Sequence, residues 1–411
     1  MLNLGRHLFA GTSISVSTRA IDLVSSSTVI DMLGLLTMDW SKLWRWQRDP
    51  STFDEADFRR LEVTGVRVFH PAIELERLEP YAAARAQLAG WKRLVAAHGC
   101  HLYWVDSFSD LIEETRRGKL GLLLGLQNSE HFRTVADVEA FFRLGQRLSQ
   151  LTYDGVNRLG SGCRAPRDRG LTDFGAAVIA EMNRLGMAID ISHCGDRTSA
   201  DAVQASERPV LATHANCREL APAEPRNKPD RLIRLLAARG GVMGITLVRR
   251  FVGPGSPDLD RLLDHFDHVS RLVGAEHVGL GTDVALDAVD ERTGRPRSIF
   301  DIRGLDLTLR VFQIADGLLA RGWRESDVGL VLGGNFLRVL AEIWTVGEWS
   351  PLGAPEALRR DPFCPARRPP SLALAPAPEL PGAGTPSGAS PAIGRGPAGR
   401  SSRPPAGPPG R

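Results

Sequence analysis

No apolar run among the 411 residues is long enough to cross a bilayer, so no membrane span is expected. The opening MLNLGRHLFAGTSISVST has no apolar h-region ahead of a small-residue cleavage site, and a secretory signal is not expected either. Cysteine is scarce: there are five, an odd number without secreted-scaffold spacing. Reduced thiols and a cytoplasmic location are therefore the expectation. Excess charge is small too. The formal net charge is +3, much of it in an Arg-rich tail, which is too little to argue for nucleic acid. What is present is core. Hydrophobic residues make up 43% and charged residues 24%, enough at this length for one large barrel with extensions, or for two domains.

The most informative stretch runs from Leu185 to Asn227. It reads LGMAIDISHC, then a helix-length interval, then PVLATHANCREL and PRN. Two short apolar runs, Met187–Ser192 and Pro209–Thr213, each deliver a histidine, His193 and His214. Bounded by Gly or Pro and separated by a helix, such runs predict buried parallel strands. Similar runs are Thr28–Asp31, Gly65–His70, Leu102–Val105, Leu120–Gln127, Leu148–Tyr153, Gly241–Thr246 and Val278–Asp283. Helices are predicted between them at Pro80–His98, Val135–Arg147, Leu171–Leu185, Asp230–Arg239 and Leu259–Val273, among others, and after the last strand at Leu305–Arg321 and Asn335–Trp344, which could close the barrel. Thr172 and Gly186 are the expected caps of the third of these. The alternation indicates a parallel α/β architecture. Nine strand candidates compete for the eight places of a closed barrel, and Leu102–Val105 is the weakest. Residues 1–18 are expected to be a loose arm, 19–350 the barrel domain, and 351–411, dense in Pro, Gly, Ala, Ser and Arg, a disordered tail.

In a closed βα barrel the strand C-termini face the active-site mouth. Asp31, Gln127, Tyr153, His193, His214 and Asp283 all fall at such ends. Two neutral imidazoles and a carboxylate suit Zn²⁺ or a similar ion, which lowers the pKa of a bound water and polarises a carbonyl. A nearby carboxylate can accept the water's proton and pass it to a leaving amine. That is the logic of metal-assisted amide hydrolysis. Other groups have plainer readings. Glu130 and His131 read as a solvated loop pair, and Cys163, Cys194 and Cys217 as buried packing residues. His70 ends the second strand and can face the pocket. His265 and His268 belong to the outer helical ring, while His98, His101 and His277 look structural. GLGTD lacks G-x-G-x-x-G spacing, which argues against nucleotide binding.

The run LTDFGAAVIAEMNRLGMAIDISHCGDRTSADAV, followed by PVLATHANCREL, PRNKPD, RGGVMGI, HVGLGTD and GGNFLRVLAEIW, resembles the membrane (renal) dipeptidase family, peptidase family M19. The likeness covers roughly residues 19–345. It implies a (β/α)₈ TIM barrel of the amidohydrolase superfamily. It also implies a dipeptide substrate, often with an unusual or D-configured C-terminal residue, and typically two zinc ions. By that resemblance His193 and His214 are ligands of the second metal. Asp283 serves the first metal and proton transfer, Arg226 receives the substrate carboxylate, and Asn335 is a structural turn residue. A guanidinium–carboxylate pair explains a preference for a free C-terminus.

The sequence also departs from the family. Where the first strand usually ends D-G-H-x-D, this chain has Asp31-Met32-Leu33-Gly34-Leu35, so leucines replace two ligands of the first metal. The bridging glutamate falls at Gln127 and the oxyanion-stabilising histidine at Tyr153, whose phenol can still donate. A bacterial branch of the family resembles this chain in its Q-N and L-T-Y features. Two cations need bridging anions that this set lacks. The expectation is therefore one divalent ion, zinc, on His193 and His214 with Gln127 or Asp283, and a site without metal stays open. The expected activity is metal-dependent dipeptide hydrolysis. In it Asp283 and Tyr153 are catalytic, and Arg226 and Tyr153 hold substrate. A metal-independent enzyme on the same barrel and a non-catalytic binding homologue are the alternatives. A homodimer is also left open.

Overall fold

The computed structural model describes residues 15–344 apart from 74–78, 117, 286–288, 291–294 and 297. The expected tail at 351–411 and most of the arm lie outside the described residues; the arm's last residue, Thr18, already begins the helix Thr18–Ser26.

Strand β1 (Ile30–Leu35) pairs with β2 (Val68–Pro71), and β3 (Leu102–Trp104) and β2 both pair with β4 (Leu120–Leu122). On its other side β1 pairs with β10 (Val278–Leu280). From there the ladder runs through β9 (Val242–Ile245), β8 (Leu211–Ala212), β7 (Ala188–Asp190) and β6 (Leu148–Gln150) to β5 (Gly125–Leu126). Every one of these pairings is parallel. Only Leu123 and Leu124 separate β4 from β5, and both stay in the ladder: Leu123 N–H donates to Phe69, and Leu124 accepts from Arg147 N–H. The path thus returns to its own starting stretch and closes as a (β/α)₈ barrel of eight strands, β4 and β5 counting as one. The ninth, β3, hangs on β4 outside the closed ring, the peripheral place its weak signal predicted.

Two hydrophobic layers hold the cylinder. Helices pack on its outside, as in the run of buried Phe69, Leu122, Leu124, Ile189, Ala212 and Met243. The inside is filled by residues near the strand starts, Ile30, Val68, Leu148, Ala188, Leu211 and Val242, which cluster with Phe336, Val339, Leu340 and Ile343. Those four lie on the helix Asn335–Trp344, which covers the N-terminal end of the barrel. Arg338 fixes it there by donating to the carbonyls of Gly240 and Glu276, just ahead of β9 and β10.

Predicted helices agree where their ends carry a chemical stop. Thr172 accepts from Gly175 N–H, and Gly186 takes φ +77° at the end of the helix Asp173–Leu185, the left-handed cap glycine favours. Three predicted bounds move. The first strand begins at Ile30 and continues through Leu35, because all six residues are buried. The helix expected over Val135–Arg147 stops at Arg143: Gly145 turns at φ +98°, and Arg147 joins the ladder. The helix expected from Leu305 starts only at Arg310, because Asp306 folds back to accept from Thr308 and Leu309 N–H.

Candidate active site

Strands β7 and β8 run into turns that carry His193 and His214. The close glycines of VMGI and GLGTD make room for this: a Cβ at Gly244 or Gly281 would collide with the Thr213 carbonyl at 2.1 and 1.8 Å. The turn bearing His193 is pinned from beneath by Lys228, whose buried ammonium donates to the carbonyls of Ile191 (2.8 Å) and Cys194 (2.9 Å). Burial pulls that amine down to about 8.

The hydrogen bonds fix both imidazole tautomers. His193 Nδ1 lies 2.7 Å from Asp154 Oδ1. Burial works to raise Asp154, but the bonds from His193 and Cys163 and the nearby Arg226 charge overcome it and hold the carboxyl well below its usual range. An ionised carboxylate only accepts, so His193 Nδ1 carries the proton. Asp190 accepts the amide and hydroxyl hydrogens of both Ser192 and Thr213. With its one proton committed to Asp190, Thr213 Oγ1 can only accept from His214 Nδ1, 2.9 Å away. Both Nε2 atoms are therefore bare lone pairs, and they face each other at 3.1 Å. Burial and then the Arg226 charge push His193 down to about 3, and push His214 well below the ordinary imidazole range. Two neutral imidazoles presenting lone pairs at this distance repel each other, and a cation between them would relieve that repulsion. Zinc–nitrogen bonds of about 2.0–2.1 Å put two ligand nitrogens roughly 3.1–3.4 Å apart at near-tetrahedral angles, so the pair fits such an ion.

Tyr153 stacks on His193, with ring centroids 4.3 Å apart and planes 16° from parallel. Arg226 is fully buried and donates through Nη2 to the His214 carbonyl at 2.6 Å. Among the described residues its Nε and Nη1 have no hydrogen-bond partner, a condition that buried polar groups rarely tolerate. Its charge is felt by His193, His214, Asp154 and Asp283, which places the guanidinium among them. Asp283 is part-exposed yet closely surrounded by protein, and burial pushes its carboxyl up to about 7. Gln127 is buried at the end of β5, its N–H on Ile73 and its carbonyl on Gln150 Nε2. Among the described residues no contact joins it to the histidine pair.

Several plainer expectations are settled by contacts. His131 is not a solvated loop residue: it is fully buried between Asn128 O and Gln146 Oε1, because Phe132 and Phe141 close over its ring. His265 bridges Cys217 N–H and Val252 O, and His268, on the same outer helix Leu259–Val273, pairs with Asp230 at the start of the helix Asp230–Ala238. Asn335 ties Ala275 O and Val278 O, a structural role. His70 turns into the barrel interior, its Nδ1 on Leu123 O. Asp31 does not reach the mouth; it is locked between Thr282 and Arg310. Leu33 and Leu35 are both buried in the hydrophobic core.

Asp154 is a candidate site residue that the sequence did not point to. Asp154, Cys163 and His193 cluster closely enough to share a metal ion. The chemistry favours a supporting role instead. Cys163 donates its thiol proton to Asp154 Oδ1 at 3.3 Å, and burial keeps that thiol protonated by pushing it up to about 11. A carboxylate on the far nitrogen of an imidazole is the usual second partner of a metal-binding histidine.

Barrel and facing imidazoles together define a (β/α)₈ scaffold that carries a histidine pair at its strand ends. Residues 18–352 match the membrane dipeptidase family, peptidase family M19, and the chain belongs to that family. Dipeptidase verJ of Clonostachys rogersoniana is 32% identical over 253 residues, 61% of this chain and 62% of that protein. Dipeptidase 3 of Rattus norvegicus is 32% identical over 241 residues, 56% of this chain and 47% of that one. The chain thus spans less than two thirds of the length of either relative. An amidohydrolase from Pseudomonas aeruginosa superposes with a TM-score of 0.67 at 27% identity, over 79% of this chain and 99% of that one.

Proposed function

We propose that this chain is a metal-dependent dipeptidase-like hydrolase that holds one divalent ion, zinc, between His193 and His214. The observation that carries the reading is the pair of Nε2 atoms facing each other at 3.1 Å, left bare by the tautomers that Asp154 and Thr213 favour. Burial of Leu33 and Leu35 in the core supports one ion over two, since neither side chain can bind a metal. When bound, the ion supplies Lewis acidity to the scissile carbonyl and to a water.

The rest is done by side chains. Arg226 receives the free carboxylate of the substrate on its unpartnered buried donors, a charge-assisted contact strong enough to select for a free C-terminus. Asp283, poised near neutrality at about 7, takes a proton from water and returns one to the leaving amine. Tyr153, placed over His193, offers its phenol to the oxyanion. The turn at Asp154 keeps His193 in the tautomer that binds metal.

The test is a panel of dipeptides, including D-configured C-terminal residues and C-terminally amidated controls, with the metal content of the protein measured alongside. Expected are zinc-dependent turnover of some free dipeptide, none of its amide, and loss of activity in His193→Ala. No turnover across the panel with Zn²⁺, Mn²⁺ or Co²⁺ overturns the proposal. Activity that survives exhaustive chelation moves the reading to a metal-independent reaction on the same barrel.

A further inference from the structure

Asp283 holds a backbone conformation that residues other than glycine seldom take. Its φ is +59°, in the left-handed region where a side chain crowds its own backbone. Strand β1 holds it there by three bonds. Asp283 N–H donates to the Leu33 carbonyl at 2.7 Å. The preceding residue, Thr282, donates its N–H to Asp31 Oδ1 at 2.7 Å and its hydroxyl to Asp31 Oδ2 at 2.5 Å. The same hydroxyl accepts from Val284 N–H at 3.3 Å, so Thr282 grips the backbone on both sides of Asp283.

The carboxylate that makes this grip is an expensive choice. Asp31 is 1% exposed, and burial raises its pKa despite the hydrogen bonds it receives. A second buried charge answers it: Arg310 Nη2 lies 3.6 Å from Asp31 Oδ2 and is itself 1% exposed. Arg310 Nη1 is anchored on the Leu307 carbonyl at 2.6 Å, while among the described residues its Nε and Nη2 find no partner within hydrogen-bond distance. An ion pair this deep recovers little of the cost of stripping both charges of water. Joining β1 to this part of the chain does not require it, because β1 pairs with β10 at Asp31 and Leu280 and, beyond the site, with the strand Val284–Ala285 at Gly34 and Leu35. Both carboxylate oxygens fall on the single residue that precedes the strained one.

We infer that Asp31, held by Arg310, is a positioning residue for Asp283, fixing through Thr282 the left-handed turn that aims the Asp283 carboxyl. The inference rests on the proposed acid–base role of Asp283. It assigns Asp31 a purpose although the ligands expected after it are leucines.

Asp31→Asn, Thr282→Val and Thr282→Ser test it in the full chain. Asparagine can accept the Thr282 N–H, but its amide cannot accept the hydroxyl; valine removes the hydroxyl and keeps the shape. Both should lower kcat by roughly 10- to 100-fold, the scale of a misplaced catalytic group, with KM within about twofold because binding at Arg226 is untouched. Thr282→Ser should restore most of what valine loses. In an Asp283→Asn background, Asp31→Asn should add no further loss. An equal loss in both backgrounds, or full activity in Thr282→Val, overturns the inference. If Asp31→Asn does not fold, Thr282→Val alone decides. If the parent cleaves no dipeptide, it is the hydrolase reading that fails. The clamp is then judged by a crystal structure of Thr282→Val, where φ at residue 283 should leave the left-handed region; an unchanged φ refutes it.

Discussion

Truncating Asp154 should weaken metal binding without disturbing the barrel. In Asp154→Ala, His193 loses the 2.7 Å bond that fixes its protonated nitrogen. The ring keeps its stacking on Tyr153 and its packing against His214, so it is loosened and not lost. Removing such a carboxylate from a metal-binding histidine costs about 10- to 100-fold in affinity, or about 1.4–2.7 kcal/mol. Asp154→Asn keeps an oxygen for the same N–H but not the charge, and should fall by less. Proton competition cannot mimic the effect. Asp154 favours the charged imidazole, so its removal leaves His193 neutral, further below its present value of about 3. The assay is competition for Zn²⁺ between the protein and a chromophoric chelator at fixed pH and salt, with circular dichroism to monitor the fold and His193→Ala as the zero. Parent-like zinc affinity in Asp154→Ala, with His193→Ala inert, would refute the supporting role.

Arg226→Lys keeps a positive charge but loses the fork whose Nε and Nη1 stand unpartnered among the described residues. KM for a free dipeptide should rise about tenfold or more with kcat much less changed, and an unchanged KM would remove Arg226 from the substrate's carboxylate. Acid should destabilise the fold in a defined window. Burial lowers His70, His131 and His265 from 6.5 to about 4. Between these values the unfolded chain binds protons that the native state refuses. Stability is then full above about 6.5 and falls as pH drops toward 4, by up to roughly 3 kcal/mol per imidazole. Urea midpoints at pH 7 and pH 5 check this, and equal midpoints at the two values would contradict it.

The barrel was readable because its strands are short apolar runs punctuated by Gly and Pro, a signal that needs no knowledge of partners. The histidine pair was readable for the same reason: two successive runs end alike. The sequence also favoured β3 as the odd strand, since its run is short and weak. What could not be read depends on distance along the chain. Asp154 stands next to Tyr153 in the sequence, but its meaning comes from His193, 39 positions on. Asp31 looked like a residue of the mouth until Thr282, 251 positions away, was found to occupy both its oxygens. The burial of His131 was hidden likewise, because the aromatic rings that cover it come together only on folding.

The helix Asn335–Trp344 corks the lower end of the cylinder with Phe336, Val339, Leu340 and Ile343. Those residues leave the ribosome after every strand of the ring has emerged. Until they arrive, the apolar strand starts that they cover stay exposed to water, to chaperones and to neighbouring chains. A premature stop just before residue 335 would spare every catalytic group named above and still deliver a leaking vessel, so harm from such a lesion would come through folding and turnover in the cell and not through chemistry.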